Sequence, residues 1–345
     1  MLKEAEFYQT HLDRVSRSFA FCIRQLPDPL RGWVALSYLL CRILDTVEDS
    51  PWVSKEDQKK AFHLFDRALQ SAKASTALND WAQIFSRDIN SHERALLIDA
   101  EVILQDLHRL PPPVRDLIVE LVQSMSLGMQ YFADANPPGA LRLKSLSEVN
   151  QYCFFVAGLV GELLAKLLAK VDPLFPINQV TVLRAHHFGL FLQKVNLLKD
   201  QVTDENVGRH LLPSRAEVEK SAETNASEAF EFLLQLPMEH IEFRRFCAWS
   251  LFLGLESVSA ARQSLGARKV LKVSRDKTTE IIGAVEDALT NEAAMLDLFN
   301  TALQRLEWTR STGSSVTAAV VPEWLLRFYR GRLQPQGLQQ LGLAT

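Results

Sequence analysis

A basic surplus is missing from this chain. Its 345 residues carry 38 Lys+Arg against 41 Asp+Glu, a formal charge of −3. Nucleic acid is therefore not an expected partner, and an anionic ligand has to be held by groups gathered locally. Cysteine is scarce: Cys22, Cys41, Cys153 and Cys247 lie far apart in apolar surroundings, without Cys-x-x-Cys spacing. That excludes a zinc ribbon or a disulfide framework and reads as reduced core thiols of a cytoplasmic protein. No stretch approaches 18 uncharged apolar residues, and the opening MLKEAEFYQTHLDR is too charged for a signal sequence. We expect no transmembrane helix and no leader. Period-2 alternation hardly occurs, and no Gly-x-Gly-x-x-Gly follows a strand, so a βαβ nucleotide-binding unit is excluded. Constant-period repeats and Ser/Gly linkers are absent as well.

What is present is ordinary globular composition, 47% hydrophobic and 23% charged, with apolar residues recurring at three- and four-residue spacing. The expected fold class is all-α. Prolines punctuate the chain, and between them the pattern predicts helices near 30–50, 55–75, 92–108, 113–134, 147–170, 178–205, 225–236, 239–265 and 277–306. Ser54 stands three before Asp57 and Ser145 three before Glu148, both helix-start signals. We expect one domain over 1–310 and a tail over 311–345. In that tail, Val320 to Leu333 mixes aromatics with arginine, which suits a helix docked on the core or a peripheral contact with a lipid surface.

Stretches 148–170 and 184–200 are apolar nearly all round and read as central helices. Two polar groups stand out beside such runs. Asp45, Glu48 and Asp49 follow an apolar helix at i, i+3 and i+4, with Tyr38 and Arg42 on the same stripe. Three carboxylates so placed repel, and a cation would resolve the repulsion. Asn196, Asp200 and Asp204 repeat every fourth residue, with Lys199, Arg209 and His210 nearby. Oxygen ligands of this kind suit Mg²⁺, which takes one or two carboxylates and completes its shell with water and phosphate oxygens. Two such helices facing each other would clamp a diphosphate, the metal acting as Lewis acid on the leaving group. Arg17, Arg42 and Arg184 offer fork-shaped donors for phosphate. A di-iron-type bundle is disfavoured because Glu162 has Ala165 at i+3, which leaves His186 and His187 as helix-surface or supporting residues.

Four segments carry a resemblance: VSRSFAFCIRQLP (15–27), YLLCRILDTVED (38–49), YCFFVAGLVGELL (152–164) and GLFLQKVNLLKDQVTDENVGRHLLP (189–213). Together they resemble the squalene/phytoene synthase family, closest in wording to its squalene synthases. The resemblance implies an all-α isoprenoid-synthase fold with a central cavity. It also implies head-to-head joining of two farnesyl diphosphates through presqualene diphosphate to squalene, with Mg²⁺ and NADPH. By the same route Asp45, Glu48 and Asp49 match the first metal group and Asp200 and Asp204 the second. Tyr152 matches a tyrosine assigned to proton handling, and Arg17, Tyr38, Arg42 and Arg184 match positions that contact diphosphate or the reductant. Phe154, Phe155, Phe188, Phe191, Trp249 and Phe252 are candidates to line a water-free cavity for carbocations.

Departures from the family wording fall late in the chain. FCAWSLFLG (246–254) stands where FCAIPQVMA is usual, and LKVSRDKT (271–278) keeps Lys272 but has Ser274 in place of an arginine, with Arg275 one residue on. Reduction by NADPH is thus less supported than ionisation. Presqualene diphosphate, dehydrosqualene or phytoene stay open as products, and a non-catalytic assembly factor of the same fold is the alternative of another class.

Overall fold

A computed structural model describes residues 5–75, 78, 81–264 and 272–310, the side chains of Arg17 and Ser18 excepted. The expected tail over 311–345, including 320–333, lies outside the described residues. The described residues form two compact units, one within Met1–Arg142 and Lys166–Val171, the other within Leu143–Ala165 and Asp172–Thr345.

The first unit holds α1 (Ala5–Val15), α2 (Arg17–Ile23), α3 (Leu30–Asp49), α4 (Lys55–Gln70), α5 (Ala72–Ser75), α6 (Ser91–Ile98), α7 (Ala100–Arg109) and α8 (Pro112–Asp134). Its hub is α3, which packs against α1, α4, α6, α7 and α8. Leu36, Leu39, Leu40, Ile43, Leu44 and Val47 recur at helical spacing and are fully buried. Extended backbone at Ser50, ahead of Pro51, ends α3 one residue past the acidic group. Ser54 then caps α4 as the spacing predicts, its Oγ accepting from the Asp57 N–H at 3.1 Å.

The second unit holds α9 (Leu146–Cys153), a π-helical segment (Phe154–Gly158), α10 (Leu159–Val171, to Ala165 in this unit), α11 (Gln179–Asn206), α12 (Arg215–Gln235), α13 (Ile241–Gln263), α14 (Arg275–Ala288) and α15 (Glu292–Arg305). At 28 residues, α11 is about 42 Å long. It packs on α12, α13, α9 and the π segment. Backbones meet where Gly161 and Gly189 sit: a Cβ on Gly161 would lie 1.9 Å from the Ala185 carbonyl oxygen, and one on Gly189 2.0 Å from that of Ala157.

Polar groups reinforce this packing. Lys194 is fully buried and donates to Ser221 Oγ at 2.7 Å and Asn225 Oδ1 at 2.6 Å. Because an ammonium only donates, the Asn225 amide is oriented with its nitrogen toward His187 Nδ1, 2.8 Å away. Arg244, also fully buried, donates to the carbonyls of Leu233, Leu236 and Leu289, satisfying the C-terminal turn of α12 and the end of α14.

Several expectations are corrected. Helices α1 and α2 precede the first expected helix. The span 55–75 breaks at Ser71 and 92–108 at Asp99, giving two helices each. The helix placed at 225–236 starts at Arg215, because Ser214 accepts from the Glu217 N–H at 3.4 Å. The span 277–306 is α14 and α15, with Asn291 accepting from the Ala294 N–H to start the second. The run Leu146–Val171 is, after all, long and apolar enough to cross a bilayer, yet 78% of its apolar window is buried in the fold, as a core helix would be.

Candidate active site

In the first unit the acidic face of α3 is graded by burial. Glu48 is 6% exposed, Asp45 partly buried and Asp49 exposed, so the three carboxylates do not project equally. The cation that relieves their repulsion is in part Arg42. Its Nη1 lies 3.5 Å from Asp45, and its Nη2 hydrogen-bonds Glu93 of α6. Burial opposes the Arg42 charge, but Asp45 and Glu93 outweigh it and hold the guanidinium firmly protonated. Tyr38 is pushed up to about 12 by burial, against a hydrogen bond from Ser16 and the Arg42 charge. It stays a protonated donor on the same stripe. Arg17 is placed on α2, and its side chain is outside the described set.

In the second unit, α11 brings Asn196, Lys199 and Asp200 together. Lys199 Nζ donates to Asn196 Oδ1 at 3.2 Å and lies 3.3 Å from Asp200 Oδ2. Asp204 follows one turn on, partly exposed. Tyr152, at the end of α9, is 3% exposed, and Arg209, 6% exposed, donates from Nη2 to its hydroxyl at 3.3 Å. A buried guanidinium beside a phenol places a fixed positive charge, of the kind that binds phosphate oxygens, next to a group able to exchange a proton.

Arg184 is placed elsewhere. Its guanidinium lies 3.6 Å from Glu228 and 3.5 Å from Glu231 on α12. Sixteen residues of helix, about 24 Å, separate it from Asp200, so one diphosphate does not reach both. Lys272 is exposed. Ser274, the departure from the family wording, caps α14 by accepting from the Lys277 N–H at 3.1 Å, and Arg275 opens that helix.

The six aromatics proposed as cavity lining are all buried. Phe154 packs edge-on to Phe155 and against His186, and Phe188 lies beside Phe232. Phe252 also lines a cleft of about 90 Å³ with Leu255, Ile281 and Leu298. His186 and His187 are not surface residues: both are fully enclosed, His186 against Glu162 at 3.3 Å. Burial pushes His187 down to about 3, helped by Lys194. Sequence reading also missed Glu93, Lys194, Ser221 and Asn225. Only the lone Lys194 within an apolar run advertised itself, because a buried ammonium must have acceptors.

Among the described residues no three His, Cys, Asp or Glu side chains gather closely enough to cage a metal ion. The donors present still fit Mg²⁺, which binds through few carboxylates and shares the ligand's phosphate oxygens. For NADPH the expected residues fit in part: Lys272 and Arg275 are exposed cations, whereas Arg184 lies against Glu228 and Glu231, and Ser274 caps a helix where an arginine was expected.

Helical architecture and helix-borne carboxylates define the class: an all-α isoprenoid-synthase fold. Solved structures of similar fold include TcSQS with a ligand (TM-score 0.72, 23% identity, 87% of this chain and 90% of that one). A dehydrosqualene synthase with a ligand is also similar (TM-score 0.55, 18% identity, 82% and 95%). The chain belongs to the squalene/phytoene synthase family, whose model matches residues 12–231. Similar curated proteins include the squalene synthase of Schizosaccharomyces pombe, 27% identical over 301 residues, 79% of this chain and 63% of that protein. Those of Bos taurus (33% over 203 residues, 59% and 45%) and Saccharomyces cerevisiae (35% over 207, 59% and 44%) are also similar. The matched part thus spans 44% to 63% of these relatives' lengths.

Proposed function

We propose that this protein is a farnesyl-diphosphate farnesyltransferase that joins two farnesyl diphosphates head to head through presqualene diphosphate to squalene, with residues 1–310 working as one catalytic domain. The observation that carries the reading is the buried Tyr152–Arg209 pair in the same unit as the Asn196–Lys199–Asp200 cluster. In the first unit Asp45 and Asp49 on α3, and in the second Asp200 and Asp204 on α11, are the residues that would hold Mg²⁺. When bound, it supplies Lewis-acid assistance to diphosphate departure. Arg42 in the first unit, and Lys199 and Arg209 in the second, supply fixed positive charge to phosphate oxygens bound there. Arg209 also orients the Tyr152 hydroxyl, so that the proton given up in forming the cyclopropane can pass to a neighbouring diphosphate oxygen.

Retention of carboxylates on both helices favours catalysis over a non-catalytic assembly role. A second reading, in which the enzyme stops at presqualene diphosphate or forms dehydrosqualene without reduction, is favoured by the engagement of Arg184 with Glu228 and Glu231. The metal assignment is tested by pyrophosphate release from farnesyl diphosphate and Mg²⁺. Asp45→Asn and Asp200→Asn should each lower it by orders of magnitude at unchanged thermal midpoint. Near-normal release in either variant would remove the two-helix assignment.

A further inference from the structure

Between Tyr152 and the rest of its helix the backbone is not α-helical. Over Phe154–Gly158 it widens into a π turn, with the Leu159 N–H donating to the Phe154 carbonyl five residues back. One extra residue in a turn rotates the helix before it by about 100° relative to the helix after it. The direction in which Tyr152 leaves α9 is therefore set by whether this turn is π or α.

What holds the turn is a buried histidine. His186 of α11 is fully enclosed, and its Nδ1 lies 2.9 Å from the Gly158 carbonyl oxygen that closes the π segment. A carbonyl only accepts, so Nδ1 carries the hydrogen. The other nitrogen, Nε2, lies 3.3 Å from Glu162 Oε2, itself in a residue 1% exposed. One proton carried by either partner makes the pair neutral overall, as an ion pair or as a neutral acid beside a neutral imidazole. Neutrality is what lets it be buried. The approach is close because Gly161 leaves no side chain between α10 and Ala185 of α11, and Gly189 none between α11 and Ala157 of the π segment. The Phe154 ring, 4.8 Å from the imidazole, closes the other side.

We propose that His186 is a positioning residue for Tyr152: paired with Glu162, it clips the Gly158 carbonyl, keeps the π turn in place, and thereby aims the Tyr152 hydroxyl at Arg209. This rests on the proposed function, in which Tyr152 handles the proton of the first half-reaction.

The test uses the full chain with His186→Leu, which cannot donate, and His186→Asn, whose amide can. His186→Leu should lower kcat for presqualene diphosphate formation about 10- to 100-fold, the scale of a misplaced reacting group, with KM for farnesyl diphosphate little changed. His186→Asn should recover part of the loss. Adding His186→Leu to Tyr152→Phe should cost nothing further, because both act on one group. Additive losses, or a fall carried by KM, would overturn the proposal. An arm independent of turnover follows amide hydrogen exchange. His186→Leu should speed exchange over 154–163 while leaving α12 to α15 unchanged, and unchanged exchange over 154–163, or equal acceleration throughout, would overturn it. If the wild-type protein converts no farnesyl diphosphate, the functional reading falls, and the exchange arm still decides whether His186 holds the turn.

Discussion

Tyr152 and Arg209 are adjacent in space and 57 positions apart in the chain, and the proposed function rests its first half-reaction on that contact. Tyr152→Phe keeps the ring and its packing but removes the exchangeable proton. It should lower presqualene diphosphate formation by orders of magnitude to a small residual rate, while leaving conversion of supplied presqualene diphosphate measurable; equal losses in both would indicate packing alone. His187 yields a different prediction. Its ordinary value of 6.5 is lowered to about 3 by burial and by Lys194. The unfolded chain therefore takes up a proton that the folded one refuses as pH falls below 6.5. By linkage, its contribution to stability is complete above 6.5 and shrinks as pH drops toward 3. His187→Gln keeps an acceptor for Asn225 without titrating. Its thermal midpoint should fall less steeply than wild type between those limits, and a parallel decline would remove His187 as a source of acid sensitivity.

Helices in this protein are fixed by caps and by how closely backbones meet. Gly161→Ala and Gly189→Ala each force a Cβ to within about 2 Å of a backbone carbonyl. Each should cost about 1–3 kcal/mol or more in urea unfolding, the range for overpacked cores. Gly283→Ala, exposed on α14 with nothing within 4 Å of the added carbon, should gain about 0.5–1 kcal/mol from helix propensity. Losing stability there, or none at Gly161, would contradict the packing described. The same two factors explain what periodicity revealed. α3, α8 and α11 were legible because long apolar stripes end at prolines or polar caps. α12 was started too late because residues 215–224 are mostly polar and show little apolar periodicity, although Ser214-x-x-Glu217 marks the true start. Breaks at Ser71 and Asp99 carry no Pro or Gly, and tertiary packing rather than local preference decides them. The π turn had no legible signal, since an apolar run looks alike in α and π registers.

At the scale of the whole molecule, the carboxylate helices were legible because each group of carboxylates shares one element at three- and four-residue spacing. Contacts made across elements were not: Tyr152 with Arg209, Arg42 with Glu93, and Arg184 with Glu228 and Glu231 have no common period. Tyr152 and Arg184 were both reached through resemblance, and the ion pairs of Arg184 with two glutamates of another helix carry no signal in the sequence. Family membership rests on residues 12–231, whereas the residues expected to serve the reductant lie partly beyond that stretch, at Lys272 and Arg275. The division between a well-supported ionisation step and a less supported reduction coincides with that boundary. The most direct measurement is to incubate the protein with farnesyl diphosphate and Mg²⁺, with and without saturating NADPH, and identify the products by mass spectrometry. The account predicts presqualene diphosphate without NADPH and squalene with it. Presqualene diphosphate or dehydrosqualene alone under both conditions would confine the enzyme to prenyl transfer, and no head-to-head C30 product under either would contradict the account.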